Sequence, residues 1–286
     1  MNPWLCLRTK LKLLWMMNNI DIIIPIKGRS EMLQERSLPS LLHQTMQDFK
    51  VTIVDDGSAE GDFRQIQSIA EEHRNKGLHI DVVKNEGAAG AAGARNFGLD
   101  CSSGEYVLWF DSDDMLLENK LELSIKLIQS GDYDLAITRA QHSLNGDLIN
   151  EFWGEPIAPN RGTYEFHFPF QTMCALYRRN FLTLSKTRWH ENISMMDDWL
   201  FSNEVLLKTD NWVFSPSVTA HYFVPTSKSR SIGSQLSKAK ISSQHKALMS
   251  ISSLVNSQEL RYSIASRLKL LRQKTFLQTR YWTLKK

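Results

Sequence analysis

Two clusters of acidic residues, each directly after a predicted strand, constrain this chain more than any other feature. Residues 51–54 read VTIV and are followed by DDGS, and residues 106–110 read YVLWF and are followed by DSDD. Apolar residues at helical spacing separate the two strands, which is typical of an open α/β sheet. Ligands of such sheets bind at the carboxyl edge of the strands. The sequence therefore predicts a carboxylate-rich ligand site at that edge.

The same alternation extends along most of the chain. Predicted strands lie at 20–26, 51–54, 78–83, 106–110, 135–138, 173–177 and 218–224. Predicted helices lie at 30–46, 63–73, 116–128 and 197–207, with Pro39 expected to disturb the first of them. Asn145-Gly146 is a hairpin signal in the less regular part of the chain. We expect a mainly parallel, Rossmann-like sheet flanked by helices.

Composition and charge divide the chain into three predicted parts. The net charge is +3, but residues 228–286 carry 13 Lys and Arg against one acid, so the remainder sums to −9. We predict a leader at 1–17, a catalytic domain at 18–225 and a basic amphipathic helical tail at 226–286. Within the domain, a boundary between two halves is expected at residues 130 and 131.

Both ends of the chain are open to more than one interpretation. The leader is read as a membrane-surface helix, as a disordered segment, or as sequence preceding a natural start at Met16 or Met17. No apolar run approaches the ~20 residues of a membrane-spanning helix. The basic tail is expected to contact an anionic membrane surface, since basic residues alternate with apolar ones there. Three scattered cysteines favour a reducing compartment, so we predict a cytoplasmic protein, peripheral at the inner face of the membrane.

The residue types at the sheet edge suggest specific chemistry. In the second cluster, Asp111 and Asp113 offer carboxylates for Mg²⁺ or Mn²⁺ and for a sugar hydroxyl. In the first cluster, Asp56 could accept an N–H from a base edge. Arg95, at the end of a Gly/Ala-rich stretch, offers a cation to a diphosphate. Each feature also has an ordinary structural explanation: a helix cap, an Asp-Gly turn and a solvated loop arginine.

Taken in order, these motifs resemble those of the family 2 inverting glycosyltransferases, which have the GT-A fold. The matching segments are IIIP at 22–25, VDDGS at 54–58, NEG at 85–87 with ARNFG at 94–98, and GEYVLWFDSDD at 104–114. The resemblance is strong over residues 20–130 and looser to about 225. It implies a sugar transfer with inversion from a nucleotide-diphosphate sugar. It also implies that residues 18–130 are the nucleotide-sugar-binding half of the domain and residues 131–225 the acceptor half.

The resemblance also implies roles for individual residues. Those expected to bind the donor are Pro25, Arg29, Asp55, Asp56, Arg95, Asp111 and Ser112. Asp113 would hold the Mn²⁺ or Mg²⁺ ion, and His221 would complete its binding. Asp198, in the Asp197-Asp198 pair before a predicted helix, would be the general base, although Asp197 remains an alternative. On electrostatic grounds a helix N-terminus is expected to lower the pKa of Asp198.

The sequence does not identify the acceptor. We expect a saccharide or a lipid-linked saccharide that is used in surface polysaccharide biosynthesis. Aromatic side chains of the acceptor half are read either as sugar-binding surface or as core. They are Trp153, His167, Phe168, Phe170, Trp189 and His190. Two other functions remain open: a nucleotidyltransferase, which would use the same strand-end carboxylates, and a nucleic-acid-binding protein, which would use only the tail. We expect a nucleotide-sugar partner and no nucleic acid.

Overall fold

A computed structural model of the chain describes residues 20–154, 170–224 and 238–254. Within these ranges nine strands form one sheet. They are β1 (Ile20–Ile26), β2 (Phe49–Asp55), β3 (Ile80–Lys84), β4 (Tyr106–Trp109), β5 (Met115–Leu116), β6 (Leu135–Leu144), β7 (Asp147–Trp153), β8 (Ala175–Arg178) and β9 (Trp212–Phe223). The order is β3-β2-β1-β4-β8-β6-β9-β5, and β7 pairs with β6.

The first half of the sheet is parallel and brings the predicted site residues to one edge. Strand β1 lies between β2 and β4 and is parallel to both, with Ile26 opposite Asp55 and Ile23 opposite Trp109. The carboxyl ends of these strands therefore open on the same side. Beyond β4 the sheet is mixed, because β8 runs antiparallel to both β4 and β6. The expected α/β sheet flanked by helices is confirmed.

Eight α-helices lie within the described residues, and those at Glu60–Asn75 and Asp197–Lys208 agree best with the predicted positions. They are α1 (Ser30–Met32), α2 (Leu38–Leu42), α3 (Glu60–Asn75), α4 (Ala91–Asp100), α5 (Lys120–Gln129), α6 (Arg179–Leu184), α7 (Asp197–Lys208) and α8 (Lys238–Leu254). A π-helical turn, Leu33–Ser37, joins α1 to α2. Pro39 lies at the start of α2 and lacks the N–H that a continuous α-helix would use, which explains the change of hydrogen-bonding pattern.

Several boundaries differ from the sequence prediction, and those at β5 and β9 have a common cause. Residues 116–128 were expected to be helical, but Met115 and Leu116 form β5, opposite His221 and Ala220 of β9, and α5 begins only at Lys120. Strand β9 begins at Trp212, six residues before the expected start at 218. In both places, pairing with a neighbouring strand decides the conformation, and single-segment periodicity carries no information about that partner.

The ends of the chain fall mainly outside the described residues. Residues 1–19, which include the predicted leader, lie outside them, and so does the basic tail apart from α8. Helix α8 packs through Ala247, Leu248 and Ile251 on Leu200 of α7, in a small cluster separate from the main core. None of the helices within the described ranges is long and apolar enough to cross a membrane.

One lysine of the described residues, Lys120, is fully buried against the sheet. The ammonium of Lys120, the first residue of α5, donates to the hydroxyl of Thr138 at 2.8 Å and to the carbonyl of Cys174 at 2.9 Å. Burial lowers the pKa of Lys120 to about 8, because neither neighbour carries a full negative charge. The protein therefore tolerates a buried cation that is satisfied by hydrogen bonds.

This burial predicts a pH-dependent stability difference for Lys120→Met. Between about pH 8 and the ordinary lysine pKa of 10.5, the unfolded chain binds the proton that the folded chain has lost, so wild-type stability rises with pH. The variant lacks this gain. Its free energy of unfolding relative to wild type should therefore fall by on the order of 3 kcal/mol across that range.

The measurement is urea denaturation at several pH values from 7 to 10.5. Lys126→Met is the matched control on the same helix, since the Lys126 side chain is 70% exposed in an ion pair with Glu122. Its stability relative to wild type should be nearly constant over the same range. A constant difference for Lys120→Met would contradict the buried charge.

Candidate active site

Asp56 holds the glycine-rich loop that follows β3. Its carboxylate accepts hydrogen bonds from the backbone N–H of Gly90 at 2.9 Å and from the side-chain amide of Asn85 at 2.9 Å. Gly90 is the residue before α4, so this contact fixes where the helix begins. A carboxylate has about four acceptor positions. The bonds made within the described residues leave Asp56 with capacity for an N–H of a ligand.

Asp55, in contrast, is closed within its own turn. It is 2% exposed, and its carboxylate accepts from the hydroxyl and the backbone N–H of Ser58. The same hydroxyl accepts from the N–H of Gly28 at 2.7 Å, which ties the loop after β1 to the loop after β2. Gly28 and Arg29 both have left-handed backbones, with φ of 60° and 52°. The geometry favours a structural role for Asp55, and its direct contact with a donor stays a prediction.

Arg95 joins two acidic motifs whose contacting residues lie 86 positions apart in the sequence. Its guanidinium donates to Asp111 at 2.8 Å through one terminal nitrogen and to Asp197 at 2.8 Å through the other. The residue is 5% exposed, and the two carboxylates raise its pKa despite the burial. A buried guanidinium is stable only when it is paired in this way. One side chain therefore connects the end of β4 to the start of α7.

An aromatic cluster fixes Arg95 in this position. Its guanidinium carbon lies 4.3 Å from the ring centroid of Trp189, which stacks on Phe201 with centroids 4.2 Å apart and planes 2° apart. Trp109, the last residue of β4, contacts both rings edge-on and donates its indole N–H to the carbonyl of Arg95 at 3.3 Å. The stacked rings and the paired charges leave the guanidinium little freedom.

The DSDD cluster divides into residues with different tasks. Asp111 accepts from Arg95 and, at 3.3 Å, from the hydroxyl of Thr172. Asp114 is buried, accepts from the N–H of Phe223 at 3.0 Å and so connects the cluster to β9. Asp113 lies between them, and both burial and the neighbouring Asp111 carboxylate raise its pKa. Burial and the carboxylates of Asp113 and Asp111 also raise the pKa of Asp114. Of these two acids only Asp113 is partly exposed, so it is the one that a cation could reach.

Asp198 lies beside the Arg95 pair but has a different charge environment. Its carboxylate accepts from the N–H of Trp199 at 2.7 Å. Burial, with the adjacent Asp197 carboxylate, raises the pKa of Asp198 to about 6. The expectation that a helix N-terminus would lower this pKa was wrong, because loss of solvent and a like charge outweigh the helix dipole here. The residue remains partly exposed, so a substrate group could reach it.

His221 lies on β9 directly opposite Met115, two residues beyond Asp113. Burial lowers the pKa of this imidazole, which favours the neutral form that binds metals. Within residues 20–154, 170–224 and 238–254, no group of three or more His, Cys, Asp and Glu side chains is arranged to hold a metal ion. An ion at this edge would therefore need oxygen atoms from a ligand as well as Asp113.

Comparison with known proteins identifies the family. The model of Glycosyl transferase family 2 matches residues 21–184, which is more than half of the 286 residues. The chain belongs to glycosyl transferase family 2. The match spans β1 to α6 and includes every predicted site residue except Asp198 and His221.

Relatives and solved structures agree with this assignment. The amylovoran biosynthesis glycosyltransferase AmsB of Erwinia amylovora is 35% identical over 39% of this chain and 36% of its own length. WfgD of Escherichia coli, named a UDP-Glc:alpha-D-GlcNAc-diphosphoundecaprenol beta-1,3-glucosyltransferase, is 28% identical over 51% and 53%. The structure of S. aureus TarS 1-349 with UDP-GlcNAc has a TM-score of 0.68 at 20% identity, over 87% of this chain and 71% of that one.

The structural likeness supports the GT-A fold predicted for a family 2 protein. The chain spans between about a fifth and about a half of the length of the curated relatives it matches. Activity, substrates and partners of the whole protein therefore remain to be proposed.

The predicted site residues of this family 2 chain lie at the same edge of the sheet. Pro25 and Ser112 are partly exposed there, and Arg29 is exposed. The positive charge of Arg29 opposes the rise in the pKa of Asp113 that burial and Asp111 cause. The guanidinium of Arg95 contacts the carboxylates of Asp111 and Asp197, whereas the sequence suggested that it would contact the base or the diphosphate of the donor. Of the acceptor-half aromatics, Phe170 and Trp189 are buried in the core, and His167 and Phe168 lie outside the described residues. Trp153 and His190 are partly exposed.

Two contacting residues escaped the sequence analysis. Arg36 donates to the carbonyl of Asp113 at 3.1 Å and covers the ring of Phe223 at 3.9 Å. Thr172 contacts Asp111 from a short 3₁₀ turn, Thr172–Cys174. Arg36 lies in the π-helical turn Leu33–Ser37, and Pro39 was the one feature of the sequence that indicated an irregular helix there. Nothing in the sequence marked Thr172.

The glycine-rich loop yields a stability prediction. A Cβ on Gly93 would lie 1.8 Å from the carbonyl oxygen of Ala88, so Gly93→Ala must displace backbone atoms of the loop that Asp56 holds. We expect its free energy of unfolding to fall by about 1–3 kcal/mol, as for other overpacked sites, in denaturant titration.

Gly61→Ala provides the matched control. Gly61 also lies within a helix, in the first turn of α3, and a Cβ there meets no heavy atom of the described residues within 4 Å. Alanine is the better helix former by up to about 1 kcal/mol, so this variant should be as stable as wild type or slightly more so. Equal stability of the two variants would refute the close approach at Gly93.

Proposed function

We propose that the protein is an inverting glycosyltransferase. It transfers a sugar from a nucleotide-diphosphate sugar, UDP-linked, to the hydroxyl of a saccharide or lipid-linked saccharide acceptor in surface polysaccharide biosynthesis. One observation carries this proposal. The guanidinium of Arg95 holds Asp111, at the donor edge of the sheet, and Asp197, next to the candidate base Asp198, each at 2.8 Å.

The proposed donor site uses the loops after β1, β2 and β4. Asp56 accepts an N–H of the base and Pro25 lines the same pocket, while Asp111 and Ser112 receive ribose hydroxyls. Arg29, on its left-handed turn, supplies a cation near the diphosphate. Arg95 holds the Asp111 carboxylate in place through its ion pair at 2.8 Å. Support for a UDP-linked donor comes from the UDP-GlcNAc complex of the TarS structure and from the UDP-Glc donor in the name of WfgD.

Asp198 is the proposed general base. Its carboxylate removes the proton of the acceptor hydroxyl as that oxygen attacks the anomeric carbon. The bond to the departing diphosphate breaks on the opposite face, which inverts the configuration. With a pKa raised to about 6, Asp198 is ionised at neutral pH and still basic enough to take the proton. The positive charge of Arg95 limits the rise of that pKa, to which the neighbouring Asp197 carboxylate contributes.

The donor set at the sheet edge suits a divalent cation. Mg²⁺ and Mn²⁺ bind through one or two carboxylates together with substrate phosphates, so the absence of a larger cluster among the described residues is compatible with such a site. Asp113, with His221 as the second protein ligand, would hold the ion. When bound, it would neutralise charge that develops on the departing diphosphate.

The names of two relatives and the positive charge of residues 226–286 support the proposed acceptor and membrane contact. The lipid-diphosphate acceptor in the name of WfgD and the amylovoran pathway of AmsB support a saccharide acceptor. A lipid-linked acceptor would place the enzyme at a membrane, and the basic residues of 226–286 fit an anionic lipid surface. We therefore propose a peripheral contact at the inner face of the membrane.

The base assignment predicts loss of transfer without loss of donor binding. Asp198→Asn should reduce the transfer rate by about 10²–10⁴-fold, the usual contribution of a general base, while donor affinity changes little. In the wild type the rate should fall as pH decreases through about 6, because protonated Asp198 cannot accept a proton. The assay is sugar transfer measured as release of UDP, with pyrophosphate monitored to exclude nucleotidyl transfer.

Asp197→Asn is the control that separates the two acids. Asp197 is paired with Arg95, so its variant should lose activity partially and should keep an acid limb in the pH profile. A fully active Asp198→Asn, or an inactive Asp197→Asn beside an active Asp198→Asn, would refute Asp198 as the base.

The metal assignment predicts a specific loss in Asp113→Asn. A UDP-sugar should raise the melting temperature of the wild type by mass action, and Mn²⁺ should increase that rise. In Asp113→Asn the increase due to Mn²⁺ should disappear, while the rise due to the nucleotide sugar alone remains. The control is Asp81→Asn, an exposed acid of β3 paired with Lys50. A metal effect that survives in Asp113→Asn would contradict this site.

A further inference from the structure

Helix α8 lies against the segment that leads into the candidate base. The side chains of Ala247, Leu248 and Ile251 are at most 2% exposed and pack with Ile193 and Leu200. Ile193 precedes the Asp197-Asp198 pair, and Leu200 follows it. The helix therefore contacts the chain on both sides of the pair, and it does so outside the 21–184 span that matches the family model.

A serine on this helix makes two polar contacts with the same segment. The hydroxyl oxygen of Ser243 accepts from the backbone N–H of Ser194 at 2.7 Å and from that of Met195 at 3.1 Å. Ser243 is 5% exposed, so these bonds are largely shielded from water. One oxygen thus fixes two successive peptide groups immediately before Met196.

Met196 has a backbone conformation that needs such support. Its φ is 63° and its ψ is 24°, in the left-handed region, although it is not a glycine. A non-glycine residue in this region is strained and persists only where its surroundings hold it. Met196 is also the N-cap of α7, and its carbonyl accepts from the N–H of Leu200 at 2.9 Å. Its conformation thus sets the direction in which Asp197 and Asp198 leave the loop.

We propose that Ser243 is a positioning residue for sugar transfer, which holds the backbone of Ser194 and Met195 so that Met196 turns Asp198 toward the acceptor. This inference rests on the proposed role of Asp198 and extends it to a helix beyond the region matched by the family. Ser243 touches no reacting atom in this proposal, and it acts only through the peptide groups before the base.

The pH profile is a sensitive readout of this arrangement. The charged and titratable groups that influence Asp198 are Asp197 on α7, Arg95 on α4 and Asp111 at the end of β4, while Tyr222 on β9 is influenced by Asp198 in turn. If the loop relaxes, Asp198 moves toward solvent and away from Asp197 and Asp111. Its pKa then moves down toward the ordinary aspartate value, and the acid limb of the transfer rate moves with it.

The test compares Ser243→Ala with Ser243→Thr, which retains a hydroxyl. Ser253→Ala on the same helix is the matched control, because Ser253 is exposed and its hydroxyl donates to the carbonyl of Ser250. Transfer kinetics, the pH profile and the melting temperature are measured for each variant. Ser243→Ala should lower kcat by about tenfold or more, in line with small misplacements of catalytic groups, with donor KM unchanged and the acid limb shifted to lower pH. Ser243→Thr should recover most of kcat, and Ser253→Ala should match wild type.

A Ser243→Ala enzyme with wild-type kcat and acid limb would overturn the proposal, and so would one that loses only thermal stability. If Ser243→Ala does not fold, Ser243→Cys takes its place, since a thiol keeps the volume but is a weaker acceptor; the same outcomes then apply. An inactive Asp198→Asn beside an unaffected Ser243→Ala refutes only the role of Ser243. An active Asp198→Asn refutes the base and, with it, the positioning role.

Discussion

The paired guanidinium of Arg95 is the interaction on which the rest of the site depends. A buried cation is costly unless opposite charges surround it, and Arg95 obtains them from Asp111 and Asp197, which are separated by 86 positions in the chain. Satisfying this one side chain therefore requires α4, the end of β4 and the start of α7 to meet. The stacked rings of Trp189 and Phe201 allow that meeting in one geometry. Convergence of the acidic motifs thus follows from the need to neutralise one charge.

Each acidic motif divides its carboxylates between holding the structure and remaining available. Asp55 is closed by Ser58, Asp114 by the backbone of Phe223, and Asp197 by Arg95. Burial raises the pKa of Asp113, Asp114 and Asp198. Of these three, Asp113 and Asp198 are partly exposed and so remain accessible to a ligand. In each pair of adjacent aspartates, the fold thus holds one carboxylate through structural contacts and leaves its neighbour available to a ligand.

The sequence predicted the sheet, its carboxyl edge and the residues that gather there, because strands, turns and helix starts are encoded locally. It could not predict that Arg95 would point to Asp197, since that pairing depends on how α4 and α7 pack across the sheet. Residue 116 was assigned to a helix because its strand partner, Ala220, is 104 positions away. The pKa of Asp198 was expected to be lowered and is raised, for the same reason. A helix terminus is visible in the sequence, whereas burial by other elements is not.

The position of the proposed base shows why the family match and the complete candidate site do not coincide. The proposed donor-side residues other than Arg95 lie at or just after the ends of parallel strands, and the register of those strands fixes them. Asp198 lies instead in the first turn of α7, directly after a loop that ends at the left-handed residue Met196, and outside the matched span of 21–184. Such a loop keeps its shape only if further contacts hold it, and Ser243 of α8 supplies two of them. Residues that never contact a substrate can therefore determine how a base on a shared fold is aimed, and relatives that share the strand-end motifs are free to differ there.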